Sequence, residues 1–280
     1  MYIPTGHHRE RRRKETKMAA APKTPDRTGG ATTIRLSDGE LVTARIDHKE
    51  SEVPIWQTDR FVPLDGVAGQ GGGPEIGFVG VESVPGAFVL ENFFSPVECD
   101  DIVRCAETMG FDQAKVTTTG GHMLSMPNYR SNERVIWHTD PSWLEKINAR
   151  LMPFLQRPSV ADLIPGWKPY AINERMRIFK YSKGQQFKMH FDGGFAKNQF
   201  DRSHMTFIAY LGTPEDGGHT GFYSNSETEI VTVPPVKGSA LIFFHQNHAL
   251  SPLHSGKPVV RGTKYALRSD IMFRKLPLST

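Results

Sequence analysis

The chain has 280 residues, 38% of them hydrophobic, and a formal net charge of +4. That is enough for one large domain with appendages, or for two small ones, around a sizeable core. No apolar run reaches the roughly 18–20 residues of a membrane span and no signal-peptide core is present, so the composition predicts a soluble, cytoplasmic chain with no membrane partner.

The positive charge sits at one end. Residues 1–30 carry eight Lys and Arg against Glu10, Glu15 and Asp26, which leaves the rest close to neutral. The stretch HHRERRRKETK has almost nothing apolar to pack and reads as a disordered basic tail. A nuclear address or a weak nucleic-acid patch is the competing reading. The body shows no charge bias towards nucleic acid, which argues against that partner. Cys99 and Cys105 lie six apart on one predicted helix, on different faces, and suit neither a disulfide framework nor a thiolate metal site.

TTIRLSDGELVTARI alternates on either side of Asp38-Gly39 and predicts a hairpin turning there. Residues 63–77, PLDGVAGQGGGPEIG, read as a linker or mobile loop, so 31–77 is a hairpin plus Gly/Pro-rich linker and 78–280 the main domain. GAFVLENFF (86–94) predicts a strand. Ser95-Pro96-Val97-Glu98 then opens a helix to about Met109 with a capping box and a proline at its first position. A second helix starts at Asp140-Pro141, with Leu144, Ile147, Leu151, Phe154 and Leu155 on one stripe. Both helices read as core-packing elements without chemistry.

After Trp167 the texture changes. RMRIFKY (175–181), FKMHFD (187–192), SHMTFIAYL (203–211), TGFY (220–223), EIVTVP (229–234), SALIFF (239–244) and KYALRSDIMF (264–273) are short and β-branched or aromatic, with turn residues between them. That predicts an α+β, mainly β domain, a sandwich or barrel with helices packed outside.

Within FKMHFD, His190 and Asp192 are two apart and project to one face of a strand, while Phe187, Met189 and Phe191 should point into a packed layer on the other. A two-histidine, one-carboxylate facial triad needs a second histidine from elsewhere, and leaves positions open on an octahedral Fe(II). His204, His219, His245, His248 and His254 are the candidates. His254 is best placed, after the strand SALIFF and a loop; His248 is its rival and His245 a weaker one. Lys264 lies ten residues beyond His254, and Arg268 shares its face. A buried cation in a barrel is costly unless it meets an anion.

RIFKYSKGQQFKMHFDGGF (177–195), TFIAYLGTPEDGGHTGFY (206–223), PPVKGSALIFFHQNH (234–248) and HSGKPVVRGTKYALRSDIMF (254–273) resemble, in order and spacing, the Fe(II)/2-oxoglutarate-dependent oxygenases of the prolyl 4-hydroxylase-like branch. The resemblance implies a double-stranded β-helix (jelly-roll) core with flanking N-terminal helices in an oxygenase domain over 78–280. It implies His190, Asp192 and His254 as iron ligands and catalytic residues. Lys264, and second to it Arg268, would anchor the distal carboxylate of 2-oxoglutarate, with Tyr181 and Tyr210 lining that pocket. Two departures are Ser255, where the family often has glutamate, and a long stretch between Phe244 and His254.

The implied activity is a dioxygenase, an oxidoreductase that uses Fe(II), 2-oxoglutarate and O2, with ascorbate as an optional reductant, and releases succinate and CO2. Peptidyl proline or a small molecule is the implied substrate. Oxidative demethylation of nucleic acid or protein, or a catalytically silent jelly roll used for binding, are the alternatives. Around the site, Phe195 and Phe200 in GGFAKNQF offer a lip over the metal, and Arg130, Arg134, Arg175 and Arg177 are candidate substrate contacts. Nothing in the sequence sets the oligomeric state.

Overall fold

A computed structural model describes residues 30–50, 53–60, 62, 64, 75–117, 123–245 and 248–277. The basic tail and most of the linker lie outside the described residues.

The N-terminal hairpin pairs strands Thr32–Arg35 and Leu41–Glu50, with Arg35 opposite Leu41. Its turn runs through residues 36–40, and only Gly39 takes a positive φ, at 89°. The connection is therefore longer than a two-residue turn on Asp38-Gly39. Strand Val53–Thr58 continues the sheet and pairs in parallel with Glu133–His138. Ile34, Leu36, Val42 and Trp56 from this region share the main core.

Helix α1 spans Pro96–Met109, with both halves of the Ser95/Glu98 capping box formed. Helix α2 spans Pro141–Leu155, capped by the Asp140 side chain on the Trp143 N–H. Cys99 and Cys105 are both buried in α1 despite their different faces, and burial pushes both thiols up to about 12. A buried ion pair joins the two helices. Arg150 donates from Nη2 to Glu98 Oε1 at 2.7 Å and from Nη1 to Glu98 Oε2 at 2.9 Å, and Nη1 also reaches the Phe93 carbonyl at 3.0 Å. The two side chains are 5% and 3% exposed.

Two sheets face each other in the mainly β body. The large one has at its centre Glu133–His138, Arg175–Tyr181, Lys264–Lys275, Asp201–Gly212 and Ala240–Phe244, in that spatial order. The small one runs Phe187–His190, Leu253–Gly256, Thr220–Tyr223, Glu229–Val233. This is the jelly-roll arrangement. Alternation along the large sheet sorts its residues cleanly. Trp137, Met176, Ile178, Phe207, Ala209, Leu267, Ile271 and Phe273 join Ile102, Cys105, Ile147 and Leu151 of α1 and α2 in one core. Arg134, Arg177, Phe179, Tyr181, Ile208, Lys264, Ala266 and Arg268 line a cavity on the opposite face. Among the described residues no helix is long and apolar enough to cross a membrane.

One expectation fails at the edge of the small sheet. Strand Phe187–His190 is irregular, its pairing with Leu253–Gly256 shifting register between Phe187 and His190. Phe187 does not sit on the face opposite His190; the two rings stack at 3.6 Å between centroids. Phe191 is not in a packed layer but 55% exposed. An extra residue in one strand breaks the strict two-residue alternation on which that expectation rested.

Removing one partner of a buried ion pair leaves the other charge uncompensated. Arg150→Met is expected to lower the unfolding free energy by about 3–5 kcal/mol. Adding Glu98→Leu to that variant should recover part of the loss, as read from urea midpoints.

Candidate active site

His190 ends the strand Phe187–His190, and His254 lies directly opposite it in Leu253–Gly256. Asp192 follows two residues after His190, where the chain leaves the sheet. His190 Nε2 is 3.6 Å from Asp192 Oδ1, and His254 Nε2 is 3.7 Å from Asp192 Oδ2. Each of the three offers one donor atom, all within 4.8 Å of one another.

The histidines are held in the tautomer a metal needs. His190 Nδ1–H donates to the Lys188 carbonyl at 2.7 Å, and His254 Nδ1–H to the Pro252 carbonyl at 3.1 Å. Both Nε2 lone pairs are then left to face Asp192. Burial, with His190 nearby, lowers His254 to about 4, so its ring is neutral at ordinary pH. Burial opposes ionisation of Asp192, but Arg268 and the two histidines outweigh it and hold the carboxyl well below its usual range. Two imidazoles and a carboxylate converging on one point are a donor set that fits Fe(II).

A cavity of about 690 Å³ opens from this group between the two sheets. Lys264 lies on its wall, 4% exposed. Its Nζ donates to the Gly218 carbonyl at 2.7 Å and lies 5.4 Å from the Tyr181 ring centre and 5.2 Å from that of Tyr210. The turn GGHTGF makes this contact: Gly218 takes a φ of +71°, which an L side chain rarely adopts. The Tyr210 hydroxyl hydrogen-bonds Thr220 at 2.8 Å. Among the described residues no carboxylate pairs with Lys264, and burial lowers its ammonium to about 7. A buried cation beside hydroxyl donors, without an acid of its own, fits the far carboxylate of a dicarboxylate co-substrate.

Arg268 is placed differently. Its Nη2 lies 3.4 Å from Asp192 Oδ2 and 3.2 Å from Asp270 Oδ1. Arg177, opposite it across the sheet, reaches Asp270 at 3.3 Å. Arg268 thus braces the carboxylate of Asp192, whereas Lys264 meets no carboxylate among the described residues.

Arg130, Arg134 and Arg177 all line the cavity. Arg130 lies over the faces of Phe187 and Phe179, 4.3 and 4.6 Å from their ring centres, so the Phe187 ring that stacks on His190 is braced by a guanidinium. Phe195 and Phe200 are exposed but are not among the lining residues; Phe191, Gly193 and Gly194 are. The rival histidines are engaged elsewhere. His248 stacks on Phe244 at 3.8 Å and contacts the Leu163 carbonyl, and His245 is buried against Ser203 and Thr206.

Thr206, whose hydroxyl donates to Asp192 Oδ2 at 2.8 Å, escaped sequence reasoning. The signal was present: in SHMTFIAYL it shares a face with Tyr210 by alternation. A second His/Asp group, Asp47, His48 and His138, stands away from the cavity, and two of its three members are exposed.

The fold and site define a jelly roll with a facial triad at the mouth of a cation-lined cavity. The model of the 2OG-Fe(II) oxygenase superfamily matches residues 176–269. Prolyl 4-hydroxylase 2 of Arabidopsis thaliana is 24% identical over 212 residues, 66% of this chain and 67% of that protein. Probable prolyl 4-hydroxylase 4 of the same plant is 26% identical over 212 residues, with the same coverage. Among solved structures, a Pseudomonas putida prolyl-4-hydroxylase is similar with a TM-score of 0.47 and 18% identity, covering 70% of this chain and 95% of its own. The viral collagen prolyl hydroxylase of Paramecium Bursaria Chlorella virus-1 has a TM-score of 0.46 and 23% identity, covering 66% and 95%. The family match and the sequence relatives together support a prolyl hydroxylase-like 2OG-Fe(II) oxygenase, a family whose members use Fe(II), 2-oxoglutarate and O2.

With a folded-state value near 7 against an ordinary 10.5, Lys264 binds a proton less readily in the native chain than in the unfolded one. The cost of burying it is fully present below pH 7, and native stability rises with pH between the two values. Lys264→Met should therefore stabilise the ligand-free chain at pH 6, on the order of 1–4 kcal/mol. The gain should shrink towards pH 10 in denaturation curves.

Proposed function

We propose that this enzyme hydroxylates a proline C–H bond in a peptide, with His190, Asp192 and His254 holding Fe(II) and Lys264 anchoring 2-oxoglutarate. The convergence of the three donor atoms within 4.8 Å carries the assignment of the ligands. The buried Lys264 between Tyr181 and Tyr210 supports the assignment of the anchor. Peptidyl proline is favoured because the sequence relatives are named prolyl 4-hydroxylases, and the cavity is open and large enough for a residue of a longer chain.

The bound iron and co-substrate supply the oxidising chemistry that turns a C–H bond into C–OH. The chain's own residues do the rest. His190 and His254 keep their Nε2 atoms unprotonated through their Nδ1–H bonds to the backbone. Arg268 and Thr206 hold Asp192 ionised and aimed. Lys264 neutralises the far carboxylate of 2-oxoglutarate, and the Tyr210–Thr220 pair bounds that pocket. Arg130, stacked on Phe187, keeps the ring beside His190 in place and presents spare N–H donors to substrate carbonyls. Phe191 at the rim shields the bound target from water.

The purified chain should release succinate only with Fe(II) and 2-oxoglutarate, and Asp192→Ala should abolish release. Lys264→Met should raise the KM for 2-oxoglutarate about a hundredfold while leaving metal affinity unchanged. Because the free Lys264 loses its proton near pH 7, 2-oxoglutarate binding takes up a proton above that pH, and its Kd should climb as pH rises from 7 to 9. Proline-containing peptides should gain one oxygen on proline by mass spectrometry. Oxygen gained only on other residues or on free metabolites would exclude the peptidyl-proline assignment and keep the oxygenase.

A further inference from the structure

Behind the triad runs a buried hydrogen-bonded path. Asp192 Oδ2 accepts from the Thr206 hydroxyl at 2.8 Å, and Thr206 Oγ1 lies 3.0 Å from His245 Nδ1. His245 Nε2 lies 2.9 Å from Ser203 Oγ, which accepts from the Phe195 backbone N–H at 2.7 Å. The Ser203 N–H in turn donates to the Phe195 carbonyl at 2.7 Å. The path starts on a triad carboxylate and ends on segment 193–200, whose Gly193 and Gly194 line the cavity mouth.

Counting protons sets its direction. A carboxylate only accepts, so the one hydroxyl proton of Thr206 goes to Asp192. Thr206 Oγ1 must then accept from His245, which places the ring proton on Nδ1. Asp270 Oδ1, 3.9 Å from that nitrogen, favours the same tautomer. Nε2 of the neutral ring is left as an acceptor, so Ser203 donates to it and accepts from Phe195. The other option for the Ser203 proton, the Phe195 carbonyl at 3.2 Å, leaves Nε2 without a donor. His245 is 1% exposed, Thr206 0% and Ser203 6%, so water cannot stand in for a missing member. Arg268 braces the same two ends, 3.4 Å from Asp192 Oδ2 and 3.5 Å from the Gly193 carbonyl.

We infer that His245 is a positioning residue that couples the orientation of Asp192 to the order of the rim segment 193–200, through Thr206 on one side and Ser203 on the other. The inference rests on Asp192 as a metal ligand. Filling the metal site fixes the carboxylate, the carboxylate fixes the Thr206 proton, and the tautomer so selected holds Ser203 on the Phe195 amide. Linkage makes the effect reciprocal: a change at the rim alters metal affinity. This gives His245, one of the two additional histidines before His254, a task that ligation does not.

The test uses the full chain and Mn(II) alone as probe, counting as site binding whatever Asp192→Ala removes. Ser203→Ala, which never touches the carboxylate, should weaken that binding about three- to tenfold, and Thr206→Val about tenfold. The double variant should bind no worse than Thr206→Val, because the path is already cut. Mn(II) should slow amide hydrogen exchange at Phe195 in the unaltered chain but not in His245→Phe. Unchanged affinity in Ser203→Ala, additive losses, or Phe195 exchange indifferent to Mn(II) would each overturn the coupling while leaving the metal site standing. Failure of the unaltered chain to bind Mn(II) through Asp192 would overturn the ligand assignment along with it.

Discussion

The site depends on one cross-strand pair. His190 and His254 face each other across an antiparallel ladder at the open side of the small sheet, with ring centres 4.3 Å apart. A one-residue slip of either strand would turn its histidine to the other face and dissolve the triad. The register is held from both sides. Leu253–Gly256 also pairs with Thr220–Tyr223, with Phe222 opposite His254, and Arg130 forms a bridge to Phe187. Phe222 and Phe243 wall His254 on its buried side, at 6.2 and 4.7 Å between ring centres. The hydrophobic layer between the sheets therefore sets the position of a polar ligand.

Around that pair, charge is arranged so that Arg177 and Arg268 meet carboxylates and, among the described residues, Lys264 does not. Arg177 and Arg268 stand opposite each other on neighbouring strands, an arrangement that is repulsive by itself. Asp270 lies between them and Asp192 takes the other side of Arg268, so both guanidiniums are matched. Among the described residues, Lys264 has the Gly218 carbonyl and two aromatic rings and no carboxylate. A buried ammonium without an acid destabilises the empty chain, and a bound carboxylate relieves the penalty. The ion pair of α1 and α2 joins the two helices that share a core with the large sheet, on the face away from the cavity.

Much of this was legible along the chain, because it follows from local rules. The box at Ser95 and Glu98 and the cap at Asp140 start the helices where side chains satisfy free backbone N–H groups. The alternation of RMRIFKY sends Arg177 and Tyr181 inward and Met176 and Ile178 towards the helices, and KYALRSDIMF places Lys264 and Arg268 on one face. The errors fall where a local rule is broken by a partner strand. Phe187 lies beside His190 instead of behind it, because pairing is irregular where the chain leaves the sheet, and Phe191 lines the cavity where Phe195 does not. Thr206 and Asp270 were not singled out, and His245 only as a rival ligand, since each matters through a neighbour distant in sequence.

The chain by itself determined the β-rich domain, the two helix starts, the pairing of His190 with Asp192 on one motif and the candidate cations, since spacing and side-chain type are enough for these. It left three histidines, His245, His248 and His254, competing for the third place. Tertiary structure separates them: His254 lies on the strand that pairs with Phe187–His190 and brings Nε2 to 3.7 Å from Asp192, whereas His245 packs against Ser203 and Thr206 and His248 stacks on Phe244. It also separated Lys264 from Arg268, because the cost of burying a cation depends on which carboxylates the folded chain brings within reach, and no linear pattern records that.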